Sequence, residues 1–262
     1  MKITSRDNSL LRQARAVRDG KVDDSIYIEG LRLSEEALRS GLQIQAVIYS
    51  GQLAKKDRAA QLIRELEAVA EKTAVVSEKL LESISYTKTP QGVVVIADRP
   101  VIDSQNFVAR QGDNPFLIIL HRINNPVNVG AILRTAEAAG STGVITTEGT
   151  ADPFSPKALR GAMGAVFRLP IWTGATYPQA IEWCRDNKMQ SICADVHAAQ
   201  NYTEVGWNGP TAIVMGAESA GLSPEEMSLT DHSVRIPMKG ATESLNVAVA
   251  AGILLYEAGR HR

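Results

Sequence analysis

Short apolar runs alternate along this chain with longer segments in which apolar residues recur at helical spacing. The pattern predicts strands that are followed by helices throughout, which is typical of an α/β fold with a mostly parallel sheet and helices on both faces. The predicted strands are 25–28, 44–49, 74–76, 92–96, 116–120, 144–147, 169–172, 191–195, 211–215 and 234–238, and the main helices between them are 31–39, 58–70, 129–139 and 177–187.

A polar stretch divides the pattern into two parts. Residues 98–114 contain Pro100 and show neither helical nor strand periodicity, so they are predicted to be a linker. Residues 1–97 are then a small N-terminal α/β domain, and residues 115–262 are a larger C-terminal α/β domain with the mostly parallel sheet.

The C-terminal segment from residue 236 to residue 256 has an unusual composition. Between Leu245 and Leu255 nearly every residue is apolar or small, so a helix there has no polar face and is expected to be buried. Ser244 is predicted to cap this helix. Gly252 costs about 1 kcal/mol relative to alanine inside a helix, which indicates that another backbone passes close by.

Composition limits the classes of protein that remain. Of 262 residues, 44% are apolar and 22% charged, and the net charge of −1 means that any nucleic-acid contact must come from local patches. No apolar run approaches the ~18 residues that span a bilayer. Cys184 and Cys193 alone imply no disulfide framework and are predicted to be buried thiols, which fits the cytoplasm. The four histidines lie in unrelated contexts and are not expected to be catalytic.

One local basic patch lies near the N-terminus. Arg12, Arg15 and Arg18 recur every three residues, so a helix places them along one side, with apolar residues on the other. Two interpretations stay open for this stripe: a solvated helix face, or a surface that contacts phosphates.

Three loops carry unusual polar residues directly after predicted strands, at 121–130, 216–221 and 238–246. Parallel strands place such loops at one edge of the sheet, so the three loops are expected to converge on a ligand. The chain has no G-x-G-x-x-G after a strand, no G-x-x-x-x-G-K-[ST] and no G-x-S-x-G. Dinucleotide enzymes, P-loop NTPases and hydrolases with a serine elbow are therefore disfavoured.

The same three loops resemble, in order, the motifs of the SpoU (TrmH-type) RNA ribose 2′-O-methyltransferases, part of the SPOUT superfamily. The resemblance covers residues 116–258. Residues 1–97 are similar, less specifically, to the substrate-binding domain often found before this catalytic domain, through Asn8-Ser-Leu, Ile28-Glu-Gly-x-Arg32 and Thr89-Pro-Gln-Gly92. The catalytic motifs read Asn125-Pro-x-Asn128-x-Gly130-Ala-Ile-Leu-Arg134-Thr-Ala, Ile213-Val-Met-Gly216-Ala-Glu218-x-x-Gly221 and Ile236-Pro-Met-x-Gly240-x-x-x-Ser244-Leu-Asn246-Val.

The resemblance implies a trefoil-knotted catalytic domain that uses S-adenosylmethionine to methylate a ribose 2′-hydroxyl. It implies ribosomal RNA as the substrate, with guanosine as the favoured nucleotide, and a cytoplasmic homodimer without metal or membrane contacts. The alternatives are a tRNA 2′-O-methyltransferase, a non-catalytic RNA-binding module and a small-molecule α/β enzyme.

The resemblance also assigns cofactor-binding residues. S-adenosylmethionine is expected against the backbone of Gly216, Ile236, Met238 and Leu245, and glycine at position 216 would let the backbone approach the ligand closely. A plain strand-ending turn at Gly216 and a core position for Met238 remain alternatives.

The expected catalytic group comprises Arg134, Asn128, Glu218, Ser244 and Asn246. Arg134 is expected to hold the substrate phosphate, or alternatively to form a structural ion pair. Asn128 is expected to orient Arg134 or the ribose, or alternatively only to cap its helix. Glu218 is expected to fix these side chains or the loop, or alternatively to be a solvated carboxylate. Candidate RNA contacts in the N-terminal domain are Arg12, Arg15, Arg18 and Arg32.

Overall fold

The structure of the chain is a computed structural model, which describes residues 1–55, 57–107 and 114–262. The chain forms two compact units, one of Met1–Pro100 with Phe154–Phe167 and one of Val101–Pro153 with Arg168–Arg262. This differs from the expectation of one continuous C-terminal domain over 115–262, because residues 154–167 make their contacts within the first unit. Residues 108–113 of the predicted linker lie outside the described residues.

The first unit contains a four-stranded mixed sheet in the order β1-β4-β2-β3. Strand β4 runs antiparallel to both of its neighbours, and only β2 and β3 pair in parallel. The elements are α1 (Ser9–Arg18), β1 (Ser25–Glu29), α2 (Leu31–Arg39), β2 (Ile44–Ser50), a 3₁₀ turn (Leu53–Lys55), α3 (Asp57–Val69), β3 (Lys72–Val76), α4 (Glu78–Ile84) and β4 (Val93–Asp98), with α6 (Pro156–Ala162) and α7 (Ala165–Arg168) beginning in the later segment.

Helix α1 begins after the polar residues 4–8, where apolar residues start to recur at helical spacing. The side chain of Asn8 caps it by accepting from the Leu10 amide at 2.9 Å. Its apolar side packs with α4 against one sheet face, where Tyr27 is buried and donates its hydroxyl to the Ile84 carbonyl at 2.7 Å. Burial raises the pKa of Tyr27 far above its usual value, so the ring contributes to the core as a neutral group.

The basic stripe on α1 is partly used within the fold. Arg18 donates to the Asp19 carboxylate at 2.8 Å and to the Ser85 carbonyl at 3.2 Å, and Arg15 donates to the Arg6 carbonyl at 2.9 Å. Arg12 and Arg32 are exposed, but they lie on different helices, α1 and α2. The four arginines therefore do not form one continuous stripe.

The second unit contains a seven-stranded sheet in the order β7-β6-β5-β10-β8-β11-β9, and every pairing in it is parallel. The predicted α/β class with a parallel C-terminal sheet is confirmed. The elements are β5 (Phe116–Leu120), α5 (Pro126–Ala138), β6 (Gly143–Thr147), β7 (Ile171–Ala175), α8 (Tyr177–Asp186), β8 (Gln190–Ala194), β9 (Gln200–Asn201), β10 (Thr211–Met215), α9 (Pro224–Met227), β11 (His232–Arg235) and α10 (Val247–Gly259).

The two central strands, β5 and β10, are buried along their whole length, as their continuous apolar sequences require. Helix α10 packs against α5. The close approach occurs at Gly259, where an added Cβ would lie 2.9 Å from the Ala139 carbonyl oxygen. At Gly252 an added Cβ would make only an ordinary 3.6 Å contact with the Thr135 side chain, so no backbone among the described residues of the chain passes close to it.

The expected cap of the last helix is wrong. Helix α10 begins at Val247 and is capped by Asn246 rather than by Ser244. One side of this helix is exposed in the single chain, where Val249 and Tyr256 are 52% and 57% exposed.

The cysteines, the helix lengths and the possible metal ligands of the described residues can be compared with the sequence expectations. Cys184 and Cys193 are free and buried, as predicted, and burial raises the pKa of Cys184 to about 12. No helix among the described residues is both long and apolar enough to cross a membrane. In the same ranges, no three or more His, Cys, Asp or Glu side chains cluster in a way that could hold a metal ion.

Candidate active site

Three loops of the second unit meet through hydrogen bonds between side chains. The Asn128 Nδ2 donates to Glu218 Oε1 at 2.5 Å, and the Asn246 Nδ2 donates to Asn128 Oδ1 at 3.3 Å. The three residues follow β5, β10 and β11, whose carboxyl ends share one edge because all these strands are parallel. The expected convergence of the three polar loops is therefore present.

Local capping explains why the two asparagines are available for this contact. Helix α5 begins at Pro126, earlier than predicted, and is capped by Asn125, whose Oδ1 accepts from the Val127 amide at 3.0 Å. Asn128 is thus free of the capping role that remained open from the sequence. The Oδ1 of Asn246 accepts from the Ala248 amide at 2.9 Å, which leaves its amide group to donate to Asn128.

Glu218 is carried by a tight loop that starts at Gly216. Ala217 and Gly221 exchange backbone hydrogen bonds of 2.8 and 3.2 Å, and Gly221 has a positive φ of 64°. A Cβ at Gly216 would lie 2.5 Å from the Gly221 carbonyl carbon. Glycine at position 216 is therefore required by the loop itself, independently of any ligand.

A cavity of about 330 Å³ opens beside this loop. It lies within the size range of pockets that hold small ligands. All four predicted cofactor residues line it, namely Gly216, Ile236, Met238 and Leu245. Glu218 and Ser244 line it too, so the structure brings the second and third motifs together around one pocket.

The chemistry of the pocket walls suits S-adenosylmethionine. Val234, Ile236 and Leu245 offer apolar surface to a flat base, and the loop from Gly216 to Leu222 offers backbone groups for hydrogen bonds. Two carboxylates, Asp195 and Glu218, line the pocket, which suits a ligand that carries positive charge on its sulfonium and ammonium groups.

Sequence reasoning missed one side of this pocket. Asp195, Val196 and His197 follow β8 and line the cavity. The Asp195 carboxylate accepts from the His197 amide at 3.1 Å and forms no ion pair within the described ranges. The available signal was a fourth polar turn, Asp195-Val-His197, after a predicted strand of the same parallel sheet.

Arg134 does not join the hydrogen-bonded side chains. It is exposed on α5, and within the described parts of the chain it has neither an ion pair nor a hydrogen bond. Asn128 lies six residues earlier, and at about 100° per residue the two side chains leave the helix on different sides. The expected contact between Asn128 or Glu218 and Arg134 is absent, and the alternative ion pair finds no partner among the described residues.

A second group of polar side chains holds the same loops in place. Buried His121 contacts Thr147 Oγ1 through Nδ1 at 2.9 Å and Glu226 Oε1 through Nε2 at 3.1 Å. Arg122 pairs with the same Glu226 oxygen at 3.0 Å, and the other Glu226 oxygen accepts from the Ser223 amide at 2.9 Å. Glu226 therefore ties the loop before α5 to the segment after Gly221.

The protonation states of this group follow from its surroundings. Burial lowers the pKa of His121, and the neighbouring Glu226 carboxylate offsets this only in part. Burial alone would raise the pKa of Glu226, but the hydrogen bond from Ser223 and the positive charge near it outweigh burial and lower that pKa. The native fold therefore favours a neutral imidazole beside an ionised carboxylate.

Comparison with known proteins agrees with this geometry. Residues 115–256 match the SpoU rRNA Methylase family, and residues 11–95 match the MRM3-like substrate binding domain. The chain is 30% identical to a 23S rRNA (uridine(2479)-2′-O)-methyltransferase of Streptomyces viridochromogenes, over 90% of this chain and 82% of that protein. It is 29% identical to a 23S rRNA (guanosine(2553)-2′-O)-methyltransferase of Bacillus subtilis, over 89% and 88%.

A solved structure is also similar over the full length. The AdoMet-bound rRNA methyltransferase from Sinorhizobium meliloti superimposes with a TM-score of 0.87 at 32% identity and covers 100% of this chain and 98% of that one. The parallel sheet with a cavity at the edge where three motif loops meet, together with this similarity, identifies an S-adenosylmethionine-dependent methyltransferase. The chain belongs to the SpoU rRNA Methylase family, as its motifs predicted.

The histidine group makes the stability of the second unit depend on pH. Because the pKa of His121 is lower in the folded chain than in the unfolded one, the unfolded chain binds more protons as the pH falls below about 6.5. Stability should therefore be full above that pH and decrease on acidification towards pH 5.5. Urea midpoints measured at pH 8 and pH 5.5 should differ less in His121→Gln than in the wild type.

The exposed His232 provides the matched control, since His232→Gln should keep the pH dependence of the wild type. An equal loss of stability on acidification in the wild type and His121→Gln would remove His121 as the source.

Proposed function

We propose that the protein transfers a methyl group from S-adenosylmethionine to the 2′-hydroxyl of a ribose in ribosomal RNA. The observation that carries this proposal is the contact of all three family motifs through Asn128, Glu218 and Asn246 beside the cavity. Two relatives named for 23S rRNA support ribosomal RNA over tRNA. One of these relatives is named for uridine and the other for guanosine, and we propose guanosine as the methylated nucleotide.

The pocket residues hold the cofactor, whose sulfonium supplies an electrophilic methyl group. Gly216, Ile236, Met238 and Leu245 form the surface against which its adenosine part binds. Asp195 would accept a hydrogen bond from the cofactor through the carboxylate oxygen that the His197 amide does not occupy.

Arg134 holds the RNA backbone beside the reacting ribose. Its guanidinium is exposed and has no partner in the described parts of the chain, so it is available to an incoming phosphate, which it contacts through a planar pair of N–H groups. A guanidinium pKa above about 12 leaves almost none of it deprotonated, so Arg134 does not act as the base. It contributes to positioning, which as a whole can supply roughly 7–11 kcal/mol in well-oriented reactions, and a single phosphate contact provides only part of this.

Asn128, Glu218 and Asn246 hold the three loops in one arrangement and so place the methyl donor and the ribose relative to each other. Ser244 lines the pocket just before the helix cap and is exposed, so its hydroxyl is available to the substrate. Loss of Glu218 or Asn246 removes one of these two bonds, and loss of Asn128 removes both.

The protein acts as a homodimer in the cytoplasm, with a knotted catalytic domain that lies within residues 115–262 but excludes residues 154–167, and an RNA-binding domain over residues 1–97. The exposed apolar side chains of Val249 and Tyr256 on α10, together with Val127 at the start of α5, suit a second copy of the chain. Helix α5 also carries Arg134, so a partner bound there would lie next to the active site.

Methyl transfer itself is the first test. Purified protein with tritiated S-adenosylmethionine should label rRNA and not tRNA, and mapping should place the label on a ribose. Arg134→Ala should lose at least a hundredfold in methyl transfer because the phosphate is no longer held. It should keep the wild-type dissociation constant for S-adenosylmethionine.

Arg185, exposed on α8, gives the control, and Arg185→Ala should transfer methyl groups normally. Wild-type turnover by Arg134→Ala would remove Arg134 from the mechanism. Absence of any S-adenosylmethionine binding would favour the RNA-binding module, and absence of RNA affinity would favour a small-molecule enzyme.

Cofactor binding can be measured separately by calorimetry. Asp195→Ala should weaken S-adenosylmethionine binding at least tenfold, because a hydrogen bond to a charged acceptor contributes roughly 1.5–3 kcal/mol, or about 10- to 150-fold in affinity. The variant Asp186→Ala, at an exposed position of α8, should bind as the wild type does. Unchanged binding by Asp195→Ala would show that this carboxylate does not contact the cofactor.

The dimer can be tested by sedimentation equilibrium. The wild type should have twice the mass of one chain, and the double variant Val249→Asp, Tyr256→Asp should be monomeric because two carboxylates would have to be buried in the interface. Val101→Asp, at a side chain that is 75% exposed, should remain dimeric. A monomeric wild type would contradict the proposed assembly.

A further inference from the structure

The loop between α4 and β4, residues 85–92, is held rigidly against the end of β1. The carboxylate of Glu29 accepts from the Tyr86 amide at 2.8 Å, from the Thr87 amide at 3.2 Å and from the Thr87 hydroxyl at 2.6 Å. These bonds fix the first half of the loop, and they occupy both oxygens of the Glu29 carboxylate.

The second half of the loop is fixed by Gln91. The Gln91 Oε1 accepts from the Leu31 amide at 3.3 Å. The same oxygen lies over Gly30, so a Cβ added at Gly30 would be only 2.7 Å from it. Gly30 also has a φ of +98°, which a residue with a side chain rarely adopts. The loop and the start of α2 therefore form one preorganised surface, the 29–32/86–91 surface.

This surface displays an aromatic ring that the fold does not use. Tyr86 is 43% exposed, and its hydroxyl forms no hydrogen bond within the described ranges. Among the described aromatic residues only Tyr86 and Tyr256 are exposed, and Tyr256 lies on the helix assigned to the dimer contact. The Tyr86 amide is thus used in the contact with Glu29, whereas its hydroxyl has no hydrogen-bond partner among the described residues.

Two exposed cations belong to the same surface. Arg32 follows Leu31 in the first turn of α2, and Lys88 lies in the loop next to Thr87. Both are exposed, and neither forms an ion pair within the parts of the chain that are described. The Nε2 of Gln91 is also free to donate. An exposed ring beside unpaired cations is the composition that binds single-stranded nucleic acid.

We propose that the 29–32/86–91 surface binds an unpaired nucleotide of the RNA substrate, with the base stacked on Tyr86 and the adjoining phosphates held by Arg32 and Lys88. This rests on the proposed function and adds to it that the N-terminal domain recognises a single-stranded RNA segment. A base in a duplex cannot stack on Tyr86 because its faces are already covered. Helix α1, whose Arg15 and Arg18 bind within the fold, is not the main contact.

The test uses an rRNA stem-loop that carries 2-aminopurine at single loop positions. Stacking on Tyr86 should quench the fluorescence at one position on binding to the wild-type protein. Tyr86→Ala should lose this quenching and weaken binding about tenfold, whereas Tyr86→Phe should keep both, since the ring rather than the hydroxyl forms the contact. Tyr86→Ala should raise KM for RNA and leave kcat and S-adenosylmethionine binding unchanged.

Salt dependence separates the roles of the ring and the cations. Arg32→Ala and Lys88→Ala should each lower the slope of log affinity against log salt by about 0.7, the value expected for one phosphate contact on a single strand. Tyr86→Ala should leave the slope unchanged. Lys79→Ala, at an exposed position on α4, is the control and should change neither affinity nor slope.

The outcomes distinguish this inference from the proposed function. Wild-type RNA affinity and quenching in Tyr86→Ala, with methyl transfer intact, would overturn the stacking site and leave the methyltransferase assignment standing. Equal losses in Tyr86→Phe and Tyr86→Ala would overturn stacking in favour of a hydroxyl contact. A wild-type protein that neither binds nor methylates RNA would overturn the proposed function as well.

Discussion

The arrangement of the candidate active site in the second unit depends on two hydrogen bonds, which join three loops through Glu218, Asn128 and Asn246. Each loop follows a strand of the same parallel sheet, so the sheet brings the loops to one edge but does not fix the distances between them. The amide of Asn128 fixes them because it donates to one neighbour and accepts from the other. Capping by Asn125 makes this arrangement possible, since it leaves the Asn128 side chain free.

The cavity beside the Gly216 loop is shaped by two features, a narrow loop that requires glycine and an apolar wall opposite it. Glycine is needed at position 216 because a Cβ there would lie 2.5 Å from the Gly221 carbonyl carbon. The loop is therefore narrow, and its backbone groups face the cavity. The apolar wall opposite comes from strand ends and the segment before α10. Behind the loops, neutral His121 and ionised Glu226 secure the same segments from the protein interior. Binding surface and support are therefore built by neighbouring residues of the same loops.

Sequence patterns predicted the parts of this protein that depend on local chemistry. Continuous apolar runs fixed β5 and β10 to the residue, because strands buried on both faces have no polar positions. The motif spacing predicted which residues surround the pocket. Patterns were less successful at helix starts, since Asn125 and Asn128, or Ser244 and Asn246, are equally good caps by composition and only backbone geometry chooses between them.

The sequence alone therefore determined the α/β class, the parallel second sheet, the family and the six predicted site residues that line the pocket, because each follows from local periodicity or an ordered set of motifs. Only the tertiary structure decided which cations are paired: Arg15 and Arg18 form hydrogen bonds within the first unit, while Arg134, Arg32 and Lys88 have no partner among the described residues. It also revealed Asp195 in the pocket and grouped residues 154–167 with the first unit. Such facts depend on contacts between residues far apart in the chain, so the local pattern could indicate the polar turn at Asp195 but not its place in the pocket.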